Sequence, residues 1–353
     1  MFFEENGEGR SLIVFDLEWN QSSYTPNHRM PHEIIEIGAC RVDAQGRVCD
    51  TFSRMIRPKV YKKLDKHIRC VTGITEEELS AGGAFAEVFA DFCAWCGAGA
   101  LLVTWGRDDY PVLRRNAAFF AQPMPLEPPI DAQLVFGHAC LGDAHQQMNL
   151  HSALEHMQLS PDVPAHRAVY DAQCTAALLS VIEEAVRALE PESLERLAAI
   201  LDKERRVAAS ALRSVPTRCM YQTQALADAG LMAVACPACG AKTRFDTPWF
   251  DSGRERYLAL AVCPEHGMAC AQMHFKRAQS GLLIMHQRAF AASEEEIADV
   301  HERYRAYQLT PPRRRHHRLN MEDAVQKEKK KSGQTQGANP SGKAENDQKE
   351  TQS

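Results

Sequence analysis

The 353 residues carry a net charge of −5 and enough apolar content for at least one real core, so the chain has room for more than one domain and no overall polyelectrolyte character. No apolar run is long enough to cross a bilayer, and residues 1–10 hold Glu4, Glu5 and Glu8 without a basic leader. Twelve cysteines with no export signal fit a reducing compartment, where cysteines are core filler or metal ligands before they are disulfides; the protein reads as cytoplasmic, with no membrane association.

The first element sets the pattern. Leu12, Ile13, Val14 and Phe15 form an apolar run that reads as a buried central strand, and Asp16 and Glu18 stand at its C-terminal end. Strand side chains alternate, so these two carboxylates point the same way and repel each other unless a cation lies between them. A polar, turn-rich loop follows over residues 20–31. Residues 33–42 and 48–56 read as two further strands joined by a turn at residues 43–46, which gives an antiparallel meander. Residues 71–75 make a tight turn into a helix, with Thr75 as N-cap and Glu78 at the capping-box position.

Residues 85–96 place Phe85, Val88, Phe89, Phe92 and Trp95 at helical spacing. Cys93 and Cys96 form a CxxC inside that helix, and with no second pair nearby they read as core cysteines. Residues 100–105 are another strand, ending at Gly106, Arg107, Asp108 and Asp109, and residues 110–120 read as the next helix. A strand-to-helix junction rich in polar residues is where open α/β sheets bind ligands. After a proline-rich loop, Asp131 opens a helix, residues 150–159 form another, and a long helix starts near His166 with Asp171 about a turn inside it.

Asp16, Glu18, Asp109 and Asp171 supply oxygen donors of the kind that Mg²⁺ or Mn²⁺ takes. Two such ions about 4 Å apart clamp the attacking and leaving oxygens of a phosphodiester, and a neutral histidine such as His166 can take the proton of the attacking water.

These motifs resemble the DnaQ-like (DEDDh) 3′-5′ exonucleases. The first is Phe15, Asp16, Leu17, Glu18; the second Trp105, Gly106, Asp109 and Leu113; the third His166, Asp171, Ala172. Residues 33–38 and 72–75 match further landmarks of that family, and the likeness is greatest to KapD-like and ERI-type exonucleases. The resemblance implies an RNase H-like α/β fold, a mixed sheet flanked by helices. It implies two Mg²⁺ or Mn²⁺ ions held by Asp16, Glu18, Asp109 and Asp171, with His166 as general base. Trp19 and Thr72 would be substrate contacts. The implied substrate is single-stranded nucleic acid, RNA more than DNA. A DNA exonuclease of repair is the enzymatic rival; a non-catalytic binding regulator would lack a carboxylate or the base, and none is missing.

Beyond the third motif, residues 192–213 read as one charged helix and residues 221–231 as a second. Cys236, Pro237, Ala238, Cys239 form one knuckle, and Cys263, Pro264, Glu265, His266 form another. Paired knuckles at this separation mark a zinc ribbon with one structural Zn²⁺, Cys270 or His274 being alternatives to His266 as fourth ligand. Strand-like runs follow at residues 256–262, 269–275 and 282–286. The mixture of Lys242, Arg244, Arg254, Arg256, Lys276 and Arg277 with Phe245, Trp249, Phe250, Tyr257 and Phe275 suits either a single strand or a small core. Residues 293–308 form a helix capped by Ser293 and Glu296. From residue 311 the chain is a basic tail without core-forming residues. The expected organisation is an exonuclease domain over residues 10–188, a helical linker over 189–232, a β-rich zinc-ribbon module over 233–290, a helix over 291–310 and a disordered tail over 311–353. The ribbon or tail would also offer a surface to a protein partner.

Overall fold

The computed structural model describes residues 11–22, 27, 30–159, 167–254, 256–278 and 280–309. His166 and the tail beyond residue 309 lie outside these residues. Two five-stranded sheets organise the chain.

The first sheet is built from β1 (Leu12–Asn20), β2 (Glu33–Val42), β3 (Val48–Met55), then α1 (Lys66–Thr72), α2 (Glu76–Ala81), α3 (Phe85–Cys96), β4 (Leu101–Thr104), α4 (Asp109–Phe119), β5 (Ile130–Asp131), α5 (Ala132–Cys140), α6 (Leu150–His156) and α7 (Ala168–Arg187). Its strand order is β3-β2-β1-β4-β5, with the expected antiparallel meander at one side and β4 and β5 parallel to β1 at the other. β1 is therefore central and buried on both faces, as a nearly continuous apolar run requires. Its alternation splits the core. Leu12 and Val14 join the layer of α5, α6 and α7. Ile13, Phe15 and Leu17 join the layer of α3 and α4. Asp16 and Glu18 continue the Leu12 and Val14 face, so they point to the side where α7 lies.

α7 reaches that face because of Gly38. A Cβ at Gly38 would sit 1.9 Å from the backbone nitrogen of Val169 and 2.1 Å from the carbonyl carbon of Ala168. Only glycine lets the first turn of the helix lie directly on β2. A half-buried ion pair, with Glu36 fully buried, holds the same turn. The Arg167 guanidinium donates to both oxygens of Glu36, at 3.0 Å from Nη2 and 3.0 Å from Nε, and to Glu78 at 3.3 Å. Glu36 also faces the helix N-terminus, where the Ala168 amide lies 3.4 Å away.

The second sheet follows α8 (Pro191–Ala208) and uses β6 (Ala211–Pro216), α9 (Gln222–Leu226), α10 (Ala229–Met232), β7 (Arg244–Gly253), β8 (Arg256–Cys263), β9 (Gly267–Arg277), β10 (Leu283–Ala291) and α11 (Glu294–Leu309). Its order is β6-β10-β9-β8-β7, antiparallel throughout. Two expectations change here. The charged helix stops at Ala208, and residues 211–216, read as the end of that helix and part of a linker, are an edge strand paired with β10. β7 had no strand reading, because register shifts beside Thr247 interrupt its alternation. The ribbon hairpins thus extend into a wider sheet. The aromatics also divide: Phe250, Tyr257 and Phe275 are buried, whereas Phe245 is exposed. The capping box of Ser293 and Glu296 stands as expected.

Replacing Gly38 with alanine should destabilise the protein at or beyond the upper end of the roughly 1–3 kcal/mol typical of overpacking, because the obstruction is backbone. Chemical denaturation of Gly38→Ala measures this; an unchanged midpoint would mean that α7 does not seat on β2 as described.

Candidate active site and metal centres

The carboxylates gather at the C-terminal end of β1. One oxygen each of Asp16, Glu18 and Asp171 can be chosen within 4.8 Å of one another. Asp171 arrives from the first turn of α7, where its amide bonds to the Arg167 carbonyl at 3.0 Å. Asp109 arrives from the first turn of α4 and accepts the Leu17 amide at 3.2 Å, which fixes it against the backbone between Asp16 and Glu18. Asp131 holds the turn before α4 by accepting the Gly106 amide at 3.0 Å, while Gly106 takes a φ of 100°. The cleft, about 470 Å³, is bordered by these acids and by Trp19, Trp105, Gln133 and Gln147. Trp19 lies beside His32, with ring centroids 5.6 Å apart.

Sequence reasoning missed Gln133, Gln147 and the Glu36–Arg167 pair. None carries a local signature, since the partners of each come from distant parts of the chain. Thr72 does not border the cleft. It is buried, and its hydroxyl donates to the Ile68 carbonyl at 2.9 Å and accepts the Ile74 amide at 3.2 Å, which closes the end of α1.

The cluster is electrostatically strained. Burial, then the charges of Asp109, Glu18, Asp171 and Glu36, push the Asp16 carboxyl well above the usual range. Glu18 is pushed up to about 8 by burial, then by Asp171, Glu36 and Asp109, with Arg167 opposing. Asp109 rises to about 7, burial outweighing the Leu17 hydrogen bond. Oxygen donors that repel one another on one wall of a cleft fit a hard divalent cation, whose charge removes the conflict.

The second cluster lies at the turns of the second sheet. One donor atom each of Cys236, Cys239, Cys263 and His266 falls within 4.8 Å of the others. The Sγ atoms of Cys239 and Cys263 are 3.9 Å apart, and Cys263 Sγ is 3.5 Å from His266 Nδ1. Burial would raise the Cys236 thiol, but the Cys239 and Ala238 amides outweigh it and hold it below its ordinary value. His266, then the Glu265 amide, lower Cys263. Three sulfurs and an imidazole fit Zn²⁺ in a closed tetrahedral site. The alternatives lie elsewhere: Cys270 is buried and pushed up to about 12, and His274 stacks on His286. Cys93 and Cys96 behave as core thiols, raised by burial to about 11 and about 12.

Residues 13–179 match the family model RNase_T, described as Exonuclease. The chain is 28% identical over 184 residues to the "Probable 3'-5' exonuclease KapD" of Bacillus subtilis (strain 168), covering 51% of this chain and 88% of that relative. Among solved structures it is similar to the nuclease domain of 3'hExo, a DEDDh family member, bound to rAMP, at 20% identity and a TM-score of 0.45 over 49% of this chain and 92% of that one. It is also similar to cell-death related nuclease 4, at 18% identity and a TM-score of 0.44, covering 49% of this chain and 64% of that chain. The five-stranded mixed sheet flanked by helices carries an acidic cleft at the end of β1. The match over residues 13–179 and the likeness to KapD support a DnaQ-like 3′-5′ exonuclease domain in the first half of the chain. No helix among the described residues is long and apolar enough to cross a membrane.

Two outcomes follow from the clusters. The raised carboxyl values mean that the metal-free fold favours the protonated acids; this contribution is full below the unfolded-chain values of about 4 and lost as pH rises through about 7 to 8. Asp16→Asn should therefore raise the melting temperature of metal-free protein clearly at pH 8 and little at pH 5, by roughly 2–4 °C per kcal/mol relieved. A lower melting temperature at pH 8 would count against burial and repulsion of the charged acids as the cause. Metal analysis by mass spectrometry should find zinc in wild-type protein made under metal-replete conditions and a loss in Cys236→Ser, with unfolding of the second sheet on chelation.

Proposed function

We propose that the protein removes nucleotides from the 3′ end of single-stranded nucleic acid, RNA in preference to DNA, and releases nucleoside monophosphates. The observation that supports this most is the convergence of Asp16, Glu18 and Asp171 at the end of β1, with Asp109 fixed to the Leu17 amide beside them. In this reading these four residues hold two ions of Mg²⁺ or Mn²⁺. When bound, such ions neutralise charge on the attacking and leaving oxygens of the phosphodiester.

The remaining work belongs to the chain's own side chains. Trp19, at the cleft wall, offers a ring for the terminal base. His166 takes the proton of the attacking water as its oxygen bonds to phosphorus. The bond from phosphorus to the 3′ oxygen breaks, and that oxygen takes up a proton. Arg167, next in sequence to His166, is anchored by Glu36 and Glu78, which holds the start of α7 in place. The Zn²⁺ site is structural, because four protein donors leave no position for water. The preference for RNA rests on the resemblance to ERI-type exoribonucleases.

Matched ribo- and deoxyribo-oligonucleotides, incubated with Mn²⁺, test the reading by rates and by product analysis. Wild type should release nucleoside monophosphates faster from RNA, Asp16→Asn and Asp171→Asn should be inactive, and His166→Ala should lose roughly 10²–10⁴-fold. Undiminished turnover in either aspartate variant overturns the metal site, and faster cleavage of DNA overturns the RNA preference alone.

A further inference from the structure

The second sheet has an unusual charge distribution. β6, β8, β9 and β10 contain Arg213, Arg256, Lys276, Arg277 and Arg288 but no aspartate or glutamate. The register sorts these cations. Arg213 turns to the face covered by α9 and α10, where it donates to the carbonyls of Gly230, Leu231 and Ala233. Arg277 ends β9 and donates to the Met220 and Gly281 carbonyls. The other three stand on the opposite face.

On that face, cross-strand pairing aligns Arg256, His274, His286 and Ser214 in one row over β8, β9, β10 and β6. The next row along the strands holds Gln272, Arg288 and Leu212, and Lys276 stands on the other side of His274. α11 covers only the far end of the same face, where Val300, Tyr304 and Tyr307 pack with Phe250, Leu260, Cys270 and Phe290. Arg256, Lys276 and Arg288 are exposed, and Leu212 is 47% exposed. The rings of His274 and His286 stack at 5.0 Å and 19°, and Ser214 fixes His286 through a 2.9 Å contact to Nδ1. Burial, then Lys276, Arg288 and Arg256, hold His274 below its ordinary value, so three cations act on it with no offsetting carboxylate among the described residues.

Positive charge concentrated on an open sheet face attracts a polyanion, and a flat pair of imidazoles gives a nucleobase something to stack on. An acidic protein would satisfy the charges but would leave the ring pair without a purpose. We propose that this half-face is a track for single-stranded nucleic acid, with Arg256, Lys276 and Arg288 on phosphates and one base against the His274–His286 pair. The proposal rests on the exonuclease reading and specifies where the strand is held away from the scissile bond. Such remote contacts strengthen binding without altering the chemistry at the 3′ end.

The test uses full-length protein, a fluorescent 20-mer single strand and fluorescence anisotropy without added divalent cation. Relative to wild type, the triple variant Arg256→Ala, Lys276→Ala, Arg288→Ala should bind roughly 10- to 100-fold more weakly at low salt. Its slope of log affinity against log salt should shrink by about 2, since each lost phosphate contact removes about 0.7 for a single strand. His274→Ala with His286→Ala should weaken binding roughly tenfold at an unchanged slope, as expected for stacking. Hydrolysis of a dinucleotide should be unaffected in both. Unchanged affinity and slope in the triple variant, with dinucleotide hydrolysis intact, overturns the track and leaves the exonuclease reading standing. Loss of affinity in a protein that hydrolyses no dinucleotide even as wild type supports the track and defeats the exonuclease reading. Equal competition by polyglutamate and by the strand overturns the proposal in favour of an acidic protein partner.

Discussion

Repulsion among carboxylates at the end of β1 is the constraint on which this structure depends. Isolated acids at a strand end cost little, because water screens them. Here Asp16, Glu18 and Asp171 converge in a cleft walled by two tryptophans, and burial, more than any neighbouring charge, raises Asp16, Glu18 and Asp109. A fold that gathers such groups must hold them by interactions independent of the acids themselves. β1 supplies one such support, as the central strand of a sheet buried on both faces. The seat of α7 on Gly38 supplies another, because it allows the helix no alternative height above β2. The Glu36–Arg167 pair supplies a third, locking the turn that presents Asp171.

That pair also shows how one charge can serve two purposes. Glu36 is fully buried and adds to the negative potential felt by Asp16 and Glu18. Its own charge is matched by the Arg167 guanidinium and the N-terminus of α7, so it anchors the helix without needing an ion of its own. Removing one partner from a buried pair typically costs about 3–5 kcal/mol, because the other charge is left unmatched. Asp171 thus owes part of its placement to an ion pair at the start of its own helix.

Charge is separated along the chain as well as within the cleft. The mild net charge of −5 hides a first sheet whose functional end is acidic and a second sheet with four strands free of carboxylates. The acidic cleft and the basic sheet face thus lie in different halves of the chain. Arginine side chains tie the two sheets' surroundings together: Arg114 of α4 donates to the Ala208 and Ser210 carbonyls, and Arg206 of α8 donates to the Ala291 carbonyl and the Glu296 carboxylate.

The apolar run of β1, the meander after it, the capping box of Thr75 and Glu78 and the helix at residues 85–96 were all legible in the sequence, because each depends on periodicity or on contacts three or four residues apart. The paired cysteine knuckles were legible for the same reason. β6 and β7 were not: β6 is an edge strand defined by its partner β10, and register shifts break the pattern of β7. The sequence by itself picked out Asp16, Glu18, Asp109 and Asp171 and the cysteine knuckles as candidate ligands, since metal ligation demands particular side chains at particular spacings. Only the tertiary structure decided that Thr72 turns inward, that His266 rather than Cys270 or His274 completes the cysteine cluster, and that Arg256, His274, His286 and Arg288 share one open face. Those outcomes depend on strand register and helix seating, which are set by contacts between residues far apart in the chain.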